Sequence, residues 1–501
     1  MRNERLLLWA VFAGYVLLLL MALAKHELWG DEIHSWNIAR SSHDLIDLLR
    51  NSRYEGHPPL WYVVLFSITR ITNEPEYMKI AQAVFAIAMV YVLLFASPFP
   101  LFIRTLIPFG YYFTFEYGAL SRNYAIALVF AFLTTWVLTR KPRRHELWFY
   151  VLVFLLSNTH LLGLLLALSF CAYHAWEGRS AQGGYRRAII LLAIGVLICL
   201  PAAMQIAPPG ESQLNMQFWM DHWTVQQWDT MAQAPLKAFV PIPDRDQFHF
   251  WNTNALLQRI PNDDTGRLVI RCCAAALMAL LCFLLRKDRG SVLFIASNAL
   301  LTAAVAFIFP LTSARYVGFI FIAFLIATWL HLHGRPLDIG HRAFLSVVLV
   351  LQVLGSVIAI GRDRTFPFSN SAKVRELHAL VPANALVVTD YWCLNNLSAF
   401  LARPFYSLEH RREMSFLRWD QELAQASHQP NFYSVGLREL WERSSLKEVY
   451  MISVNDAERV QAKDSALSVR FDVALIAQYE GAIETRSNVY LYRIRARSDT
   501  D

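Results

Sequence analysis

The sequence predicts a polytopic α-helical membrane protein of about 11 to 13 transmembrane helices, allowing roughly 20 apolar residues per span, followed by a soluble α/β domain. Three observations carry that prediction. The 501 residues are 55% hydrophobic and only 17% charged, and the apolar residues gather in long runs almost free of charge, which soluble enzymes do not show. Lys and Arg cluster in short loops beside those runs, so the net charge of +7 reports membrane topology and gives no reason to expect a nucleic-acid partner. After residue 361 the long runs stop, and β-branched, aromatic segments alternate with amphipathic ones.

Residues 1–24 have basic groups before an apolar core, as a signal peptide does, but the core is long and lacks a small-residue cleavage site. They read as a retained first helix with Arg2 and Arg5 in the cytoplasm. The helix delivers an outer loop, 25–57, in which 42–50 places Leu45, Ile46, Leu48 and Leu49 on one side and Asp44, Asp47 and Arg50 on the other. An interfacial helix and an ordinary surface helix share that pattern. Runs 60–71 and 80–96 are expected to return inward and exit again, with 72–79 inside. Residues 98–118, interrupted by Pro98, Pro100, Pro108 and Gly110, must then start and end outside, as two half-helices or a re-entrant pair. The basic loop 140–144 makes 124–138 an inward pass with Arg122 at its outer mouth, and 148–176 becomes two passes turning near His160. A span at 188–204 leads to a second outer loop, 205–266. Four more spans, 268–285, 292–309, 317–332 and 344–360, complete the membrane module, 1–360, and leave the carboxyl terminus outside.

Domain 361–501 is expected to have strands at 385–389, 448–453, 473–477 and 488–494 and helices at 372–380, 396–402 and 436–442. It contains no phosphate loop, nucleophile elbow or zinc spacing. Covering a substrate, binding a partner and simple packing remain open as its role. Cys171, Cys199, Cys272, Cys273 and Cys282 fall in apolar runs and only Cys393 in a polar region, which gives neither a disulfide framework nor a metal site.

The chemistry concentrates in 29–60. Asp31 and Glu32 follow the first span directly, and carboxylates at a membrane surface need a reason. Asp31 either caps the next helix or acts chemically, and the two roles are compatible. Pro58 and Pro59 suit the first turn of the second span and hold His57 at its mouth.

The ordered set Asp31-Glu32, Gly56-His57-Pro58-Pro59-Leu60, Glu116-Tyr117, Ser121-Arg122-Asn123-Tyr124, Asn158-Thr159-His160, Arg315-Tyr316 and Pro367-Phe368-Ser369 resembles the GT-C class of membrane glycosyltransferases. The likeness is to the branch of protein O-mannosyltransferases and lipid A aminoarabinose and galacturonic acid transferases. It covers most of 1–370 and implies inverting transfer of a sugar from a polyprenyl-phosphate-linked donor to a lipid, glycan or protein acceptor, at a hydroxyl or phosphate. It places the protein in the bacterial inner membrane, with transfer at the outer face and the carboxyl-terminal domain periplasmic.

The resemblance implies Asp31 as catalytic carboxylate, with Glu32 sharing that role or orienting the acceptor. His57, Arg122 and Arg315 would bind the donor phosphate, although His57 stands where many relatives carry Lys. His34, Tyr54, Tyr124 and His160 would position substrate. Arg122 and Arg315 as lipid anchors, and His160 as a packed core histidine, are the structural alternatives. No cofactor is required; a divalent metal is compatible with Asp31, Glu32, His34 and His160, but the spacing does not demand one. Trp219, Trp223, Trp228 and Trp251 suit either sugar stacking or the bilayer interface. Two other classes share an outer loop and lipid-linked substrates. A lipid-linked oligosaccharide polymerase or ligase would carry its basic residues in large central loops, and a flippase would show repeats and paired broken helices.

Overall fold

The structure, a computed structural model, describes residues 2–179, 184–212, 231–309, 311–333, 335–427, 429–443 and 446–497. Trp219, Trp223 and Trp228 lie outside these residues. The membrane module is helical: α1 Arg2–Lys25, α2 Gly30–Ser41, α3 Leu45–Ser52, α4 Leu60–Thr69, α5 Met78–Ala96, α6 Leu101–Leu106, α7 Tyr124–Arg140, α8 His145–Ser157, α9 Leu161–Gly178, α10 Gly184–Ile206, α11 Ala234–Phe239, α12 Asp264–Leu285, α13 Arg289–Ile308, α14 Ala314–His331 and α15 Ile339–Thr365. Among the described residues, eight helices are long and apolar enough to cross a membrane and three shorter ones are apolar. α1, α10 and α12 leave most of their apolar surface uncovered, whereas α14 is almost wholly buried. Helices lie against lipid on the outside of the bundle because their backbone polar groups are satisfied internally, and α14 forms its centre.

The structure changes the expected path over 60–119. α4 has ten residues, about 15 Å of helix and half a bilayer, so it does not return the chain to the other side. Lys79 Nζ donates to the carbonyl of His26 (2.6 Å) and Glu74 pairs with Arg375 of the carboxyl-terminal domain (2.5 Å). The loop at 72–79, expected inside, therefore sits on the same side as residue 26. α5 runs back, and Arg104 meets Glu4 near the start of α1 (2.5 Å). The stretch expected to start and end on one side is then one broken crossing, composed of α6, a 3₁₀ turn Ile107–Phe109 and a π-helical segment Tyr112–Ala119. Its interruptions fall at Pro108 and Gly110, and its π-helical segment is fully buried in protein, as membrane-depth backbone must be. The 148–176 stretch is a hairpin as expected, with α8 and α9 meeting at 158–160.

Close approach at Gly318 seats α14 against the π-helical segment. A Cβ there would lie 2.3 Å from Tyr112 Cε1 and 2.4 Å from the Tyr117 hydroxyl. That hydroxyl donates to the carbonyl of Arg315 (2.8 Å). Gly318→Ala should cost about 1–3 kcal/mol by overpacking, read as a fall in the thermal midpoint of the purified protein; an unchanged midpoint would show that the aromatic pair yields freely.

The last apolar helix, α15, continues past 360 to Thr365, and the α/β domain follows. Its six-stranded sheet has the order β3-β2-β1-β4-β6-β5, with β1 Leu386–Thr389, β2 Phe405–Ser407, β3 Arg412–Met414, β4 Glu448–Ser453, β5 Phe471–Tyr479 and β6 Val489–Ala496. β2, β1 and β4 are parallel, and β3, β6 and β5 run antiparallel to their neighbours. Helices α16 Val374–Ala379, α17 Tyr391–Leu401, α18 Gln421–Ser427, α19 Phe432–Glu442, α20 Ala457–Lys463 and α21 Leu467–Arg470 connect them. The short strands β2 and β3 carry no period-2 signal in their three residues, so the sequence does not announce them.

This domain is seated on the loop that follows α1. Ile33, Trp36 and Ile38 of α2 share one apolar cluster with Leu394, Leu397 and Phe400 around α17. Asn37 Nδ2 donates to the Asn395 carbonyl (2.8 Å), Arg40 donates to the Ser398 hydroxyl (2.7 Å), and Arg418 donates to Asn51 (3.1 Å). In the amphipathic segment Leu48 is buried while Leu45, Ile46 and Leu49 are exposed.

Candidate functional site

α2 begins one residue before Asp31, so the carboxylate lies in a first helical turn, where the helix dipole favours negative charge. The capping role considered for Asp31 falls to its neighbour: Glu32 accepts from the backbone N–H of Trp29 (3.2 Å). Asp31 is thereby free to face the start of α14. Arg315 Nη1 donates to its Oδ2 at 2.6 Å, and Arg122 Nη1 lies 3.5 Å from the same oxygen while donating to the Asp31 carbonyl at 2.6 Å. The Asp31 side chain is 35% exposed and those of the arginines 15% and 10%. Burial opposes the charge on Asp31, but Arg315 and Arg122 outweigh it and hold the carboxyl well below the usual carboxylate range.

Three more of the expected residues converge on these arginines. Leu60 N–H donates to the Asn158 carbonyl (3.0 Å) and Asn123 Nδ2 to the Thr159 carbonyl (3.1 Å), which ties the starts of α4, α7 and α9 together. Gly56 turns the chain with a left-handed φ of 64°, easy only for glycine. His57 then packs at a tilt on His160 (centroids 4.8 Å), which also meets Tyr124 (4.9 Å) and Tyr316 (5.9 Å). Burial, Arg122 and Arg315 push the His57 pKa down to about 3, so it enters the cluster uncharged and not as the cation its position suggested. His160 Nδ1 accepts from Leu162 N–H (3.1 Å), which leaves the proton on Nε2. Its Nε2, His57 Nδ1, the Tyr124 hydroxyl and Arg315 Nε are buried without a hydrogen-bond partner among the described residues. Buried donors normally find partners, so four orphans in one place mark a site shaped for a polar ligand.

Beside them opens a cavity of about 370 Å³ whose polar end is Glu55, His57 and His160 and whose walls include Leu161, Ile206, Val305, Ile308 and Leu311. It lies between α9, α10 and α13, of which α10 and α13 leave most of their apolar surface uncovered. A polar head on a long apolar tail matches that combination.

Glu32, His34 and Tyr54 are placed elsewhere. Glu32 is wholly buried: one oxygen accepts from Ser121 N–H (2.5 Å) and the other meets His26 Nε2 (3.1 Å). Burial works against its charge, and His26 with the two backbone amides keeps it ionised. It has no face toward an acceptor. His34 pairs with Glu55 (2.7 Å) and meets Asn395 of the carboxyl-terminal domain (3.2 Å). Burial opposes its protonation, but Glu55 raises its pKa above the ordinary value. Tyr54 donates to Glu211 (2.7 Å) under the guanidinium of Arg418 (4.9 Å to the ring). Among the described residues no three His, Cys, Asp or Glu side chains are grouped to hold a metal ion; the set considered for one is split between the arginines, His26, Glu55 and the histidine pair.

Sequence reasoning missed His26, Asp363 and Glu55. His26 was findable, since an ionisable residue at the end of an apolar helix leans functional; Asp363 belongs to the site only through its helix packing.

Fold and site together define a polytopic helical membrane protein in which an acid–arginine cluster lies beneath an α/β domain and beside an apolar cavity. No protein-family model matches the chain, and no curated protein does. Solved structures similar to it include those of ArnT from Cupriavidus metallidurans bound to undecaprenyl phosphate and in the apo state. Each is 14% identical, with 96% of this chain and 97% of that one covered and TM-scores of 0.45 and 0.44.

Proposed function

We propose that the protein is an inverting glycosyltransferase of the GT-C class that moves a sugar from a polyprenyl-phosphate carrier to an acceptor hydroxyl or phosphate at the outer face of the bacterial inner membrane. The observation that supports it best is one carboxylate, Asp31, gripped by Arg315 and Arg122 next to orphaned donors at the polar end of an apolar cavity. On this reading module 1–360 carries the reaction and domain 361–501 covers it from outside, with the amino terminus cytoplasmic.

The donor is a phosphodiester with one negative charge. Its tail occupies the cavity, and its phosphate takes hydrogen bonds from Arg122, Arg315, His160 and the Tyr124 hydroxyl, with His57 a neutral partner. That phosphate competes with Asp31 for the arginines and so returns basicity to the carboxylate. Asp31 removes the proton of an acceptor hydroxyl as its oxygen attacks the anomeric carbon from the face opposite the phosphate. The bond from that carbon to the phosphate oxygen breaks, and the electron pair leaves with the carrier, now a phosphate monoester with one more negative charge. The two guanidiniums meet that added charge in a poorly hydrated site, where fixed cations act most strongly. His34 and Tyr54 act at the rim, through Glu55 and Glu211.

The test offers purified protein a panel of polyprenyl-phosphate sugars and follows release of the carrier phosphate together with sugar transfer. Turnover by the wild type and its loss in Asp31→Asn are expected; no turnover with any donor would overturn the reading. The cavity makes a separate prediction. Ala203→Trp, which places a large ring in its wall, should raise KM for a long-chain carrier about tenfold while leaving a short-chain water-soluble analogue nearly unchanged, as loss of tail binding alone would. Equal effects on both donors would remove the tail from the cavity.

A further inference from the structure

We propose that His26 and Asp363 are positioning residues for the transfer, clamping Glu32 so that it fixes Asp31 and Arg122 against each other. The inference rests on the function proposed above. His26 lies between two carboxylates, with Nε2 3.1 Å from Glu32 and Nδ1 3.2 Å from Asp363, and all three side chains are almost fully buried. Both ring nitrogens face an acceptor, which only the imidazolium satisfies at once. Burial alone would lower its pKa; Asp363 and Glu32 override that and push it up to about 10. The imidazolium is thus a fixed positive charge at neutral pH.

What the clamp holds follows from chain adjacency. Glu32 is the residue after Asp31, and its Oε1 receives the backbone N–H of Ser121, the residue before Arg122. One carboxylate therefore sets the main chain beside both the acid and one of its cations. Its other oxygen also holds Trp29 N–H, and the Trp29 indole lies under the Arg315 guanidinium (5.8 Å). The far end of the clamp is Asp363 on the last turns of α15. Just beyond it Phe368 packs on the His26 ring (4.5 Å), and its N–H donates to Glu27 (2.5 Å). The chain leading into the carboxyl-terminal domain is thereby fastened to the reacting pair.

Buried ion networks are a poor way to gain stability, since well-packed apolar groups do as well, but they fix geometry at high cost to any member removed. A role in geometry predicts a kinetic signature. His26→Gln should lower kcat about tenfold or more, as small misplacements of reacting groups do, while donor and acceptor KM stay within about threefold, because the binding cations remain. Asp363→Asn keeps shape and removes one charge, so it should show a smaller fall of the same kind and covers the case in which His26→Gln does not fold. Thr328→Val, which removes a buried bond to His341 on α15 (3.1 Å) at the opposite end of α14, reports what destabilisation alone does to kcat. Transfer abolished in Asp31→Asn but wild-type kcat in folded His26→Gln and Asp363→Asn would overturn this inference and leave the proposed function standing. The same would hold if Thr328→Val, at an equal loss in thermal midpoint, lowered kcat as much. Full activity of Asp31→Asn would overturn both.

Discussion

Asp31→Asn is expected to abolish sugar transfer while the protein still folds. The substitution keeps the shape of the side chain and removes the only part of it that can accept a proton, and a positioned general base typically contributes about 10²- to 10⁴-fold. Its neighbours make the residue hard to replace. Glu32 is next in the chain but buried with His26 and the Ser121 amide, and Glu116 has one oxygen on the Tyr111 hydroxyl (2.9 Å) inside the bundle. The ion pair with Arg315 and Arg122 adds a pH signature. The folded pKa of Asp31 lies below its unfolded value, so the stability it contributes is present above the ordinary carboxylate pKa and is lost as pH falls through the depressed folded value. The gap in thermal midpoint between wild type and Asp31→Asn should therefore narrow in acid. Transfer at the wild-type rate in the variant would take Asp31 out of the chemistry.

Arg315→Gln should have the second-largest effect, a fall in kcat/KM for the donor of about 10- to 100-fold, the equivalent of one charge-assisted hydrogen bond of about 1.5–3 kcal/mol. The guanidinium is aimed as well as charged: it lies over the rings of Trp29 (5.8 Å) and Tyr316 (5.4 Å) while one nitrogen reaches Asp31. Lysine has neither the planar fork nor the stacking, so Arg315→Lys should recover little. Kinetics within twofold of wild type for both variants would reduce Arg315 to an anchor at the helix end.

The architecture was legible where the signal was long. Extended apolar runs, basic loops and the change in composition after residue 361 gave the membrane bundle and its α/β domain, and β4 falls on the predicted 448–453. The path over 60–119 was misread because α4 is apolar but short, and because Pro108 and Gly110 mark a break without saying whether the chain turns back or continues. Burial of the π-helical segment by α1, α5 and α15 settles that, and no window of sequence contains it.

The residues around Asp31 were legible as ordered motifs, and Arg122, Arg315, His57, His160 and Tyr124 do gather near it. Individual states were not legible. Nothing in Gly56-His57-Pro58 says that two arginines and burial strip the imidazole of its charge, and nothing in Asp31-Glu32 says that one carboxylate meets two arginines while the next meets a histidine and two backbone amides. That division depends on a histidine before the motif and an aspartate more than three hundred residues after it.

The doubly gripped carboxylate has a kinetic corollary. While both guanidiniums rest on Asp31, the group is muzzled, and neither water nor an alcohol arriving first finds a competent base. On the proposed reaction, carrier must load before acceptor, giving a compulsory order of addition.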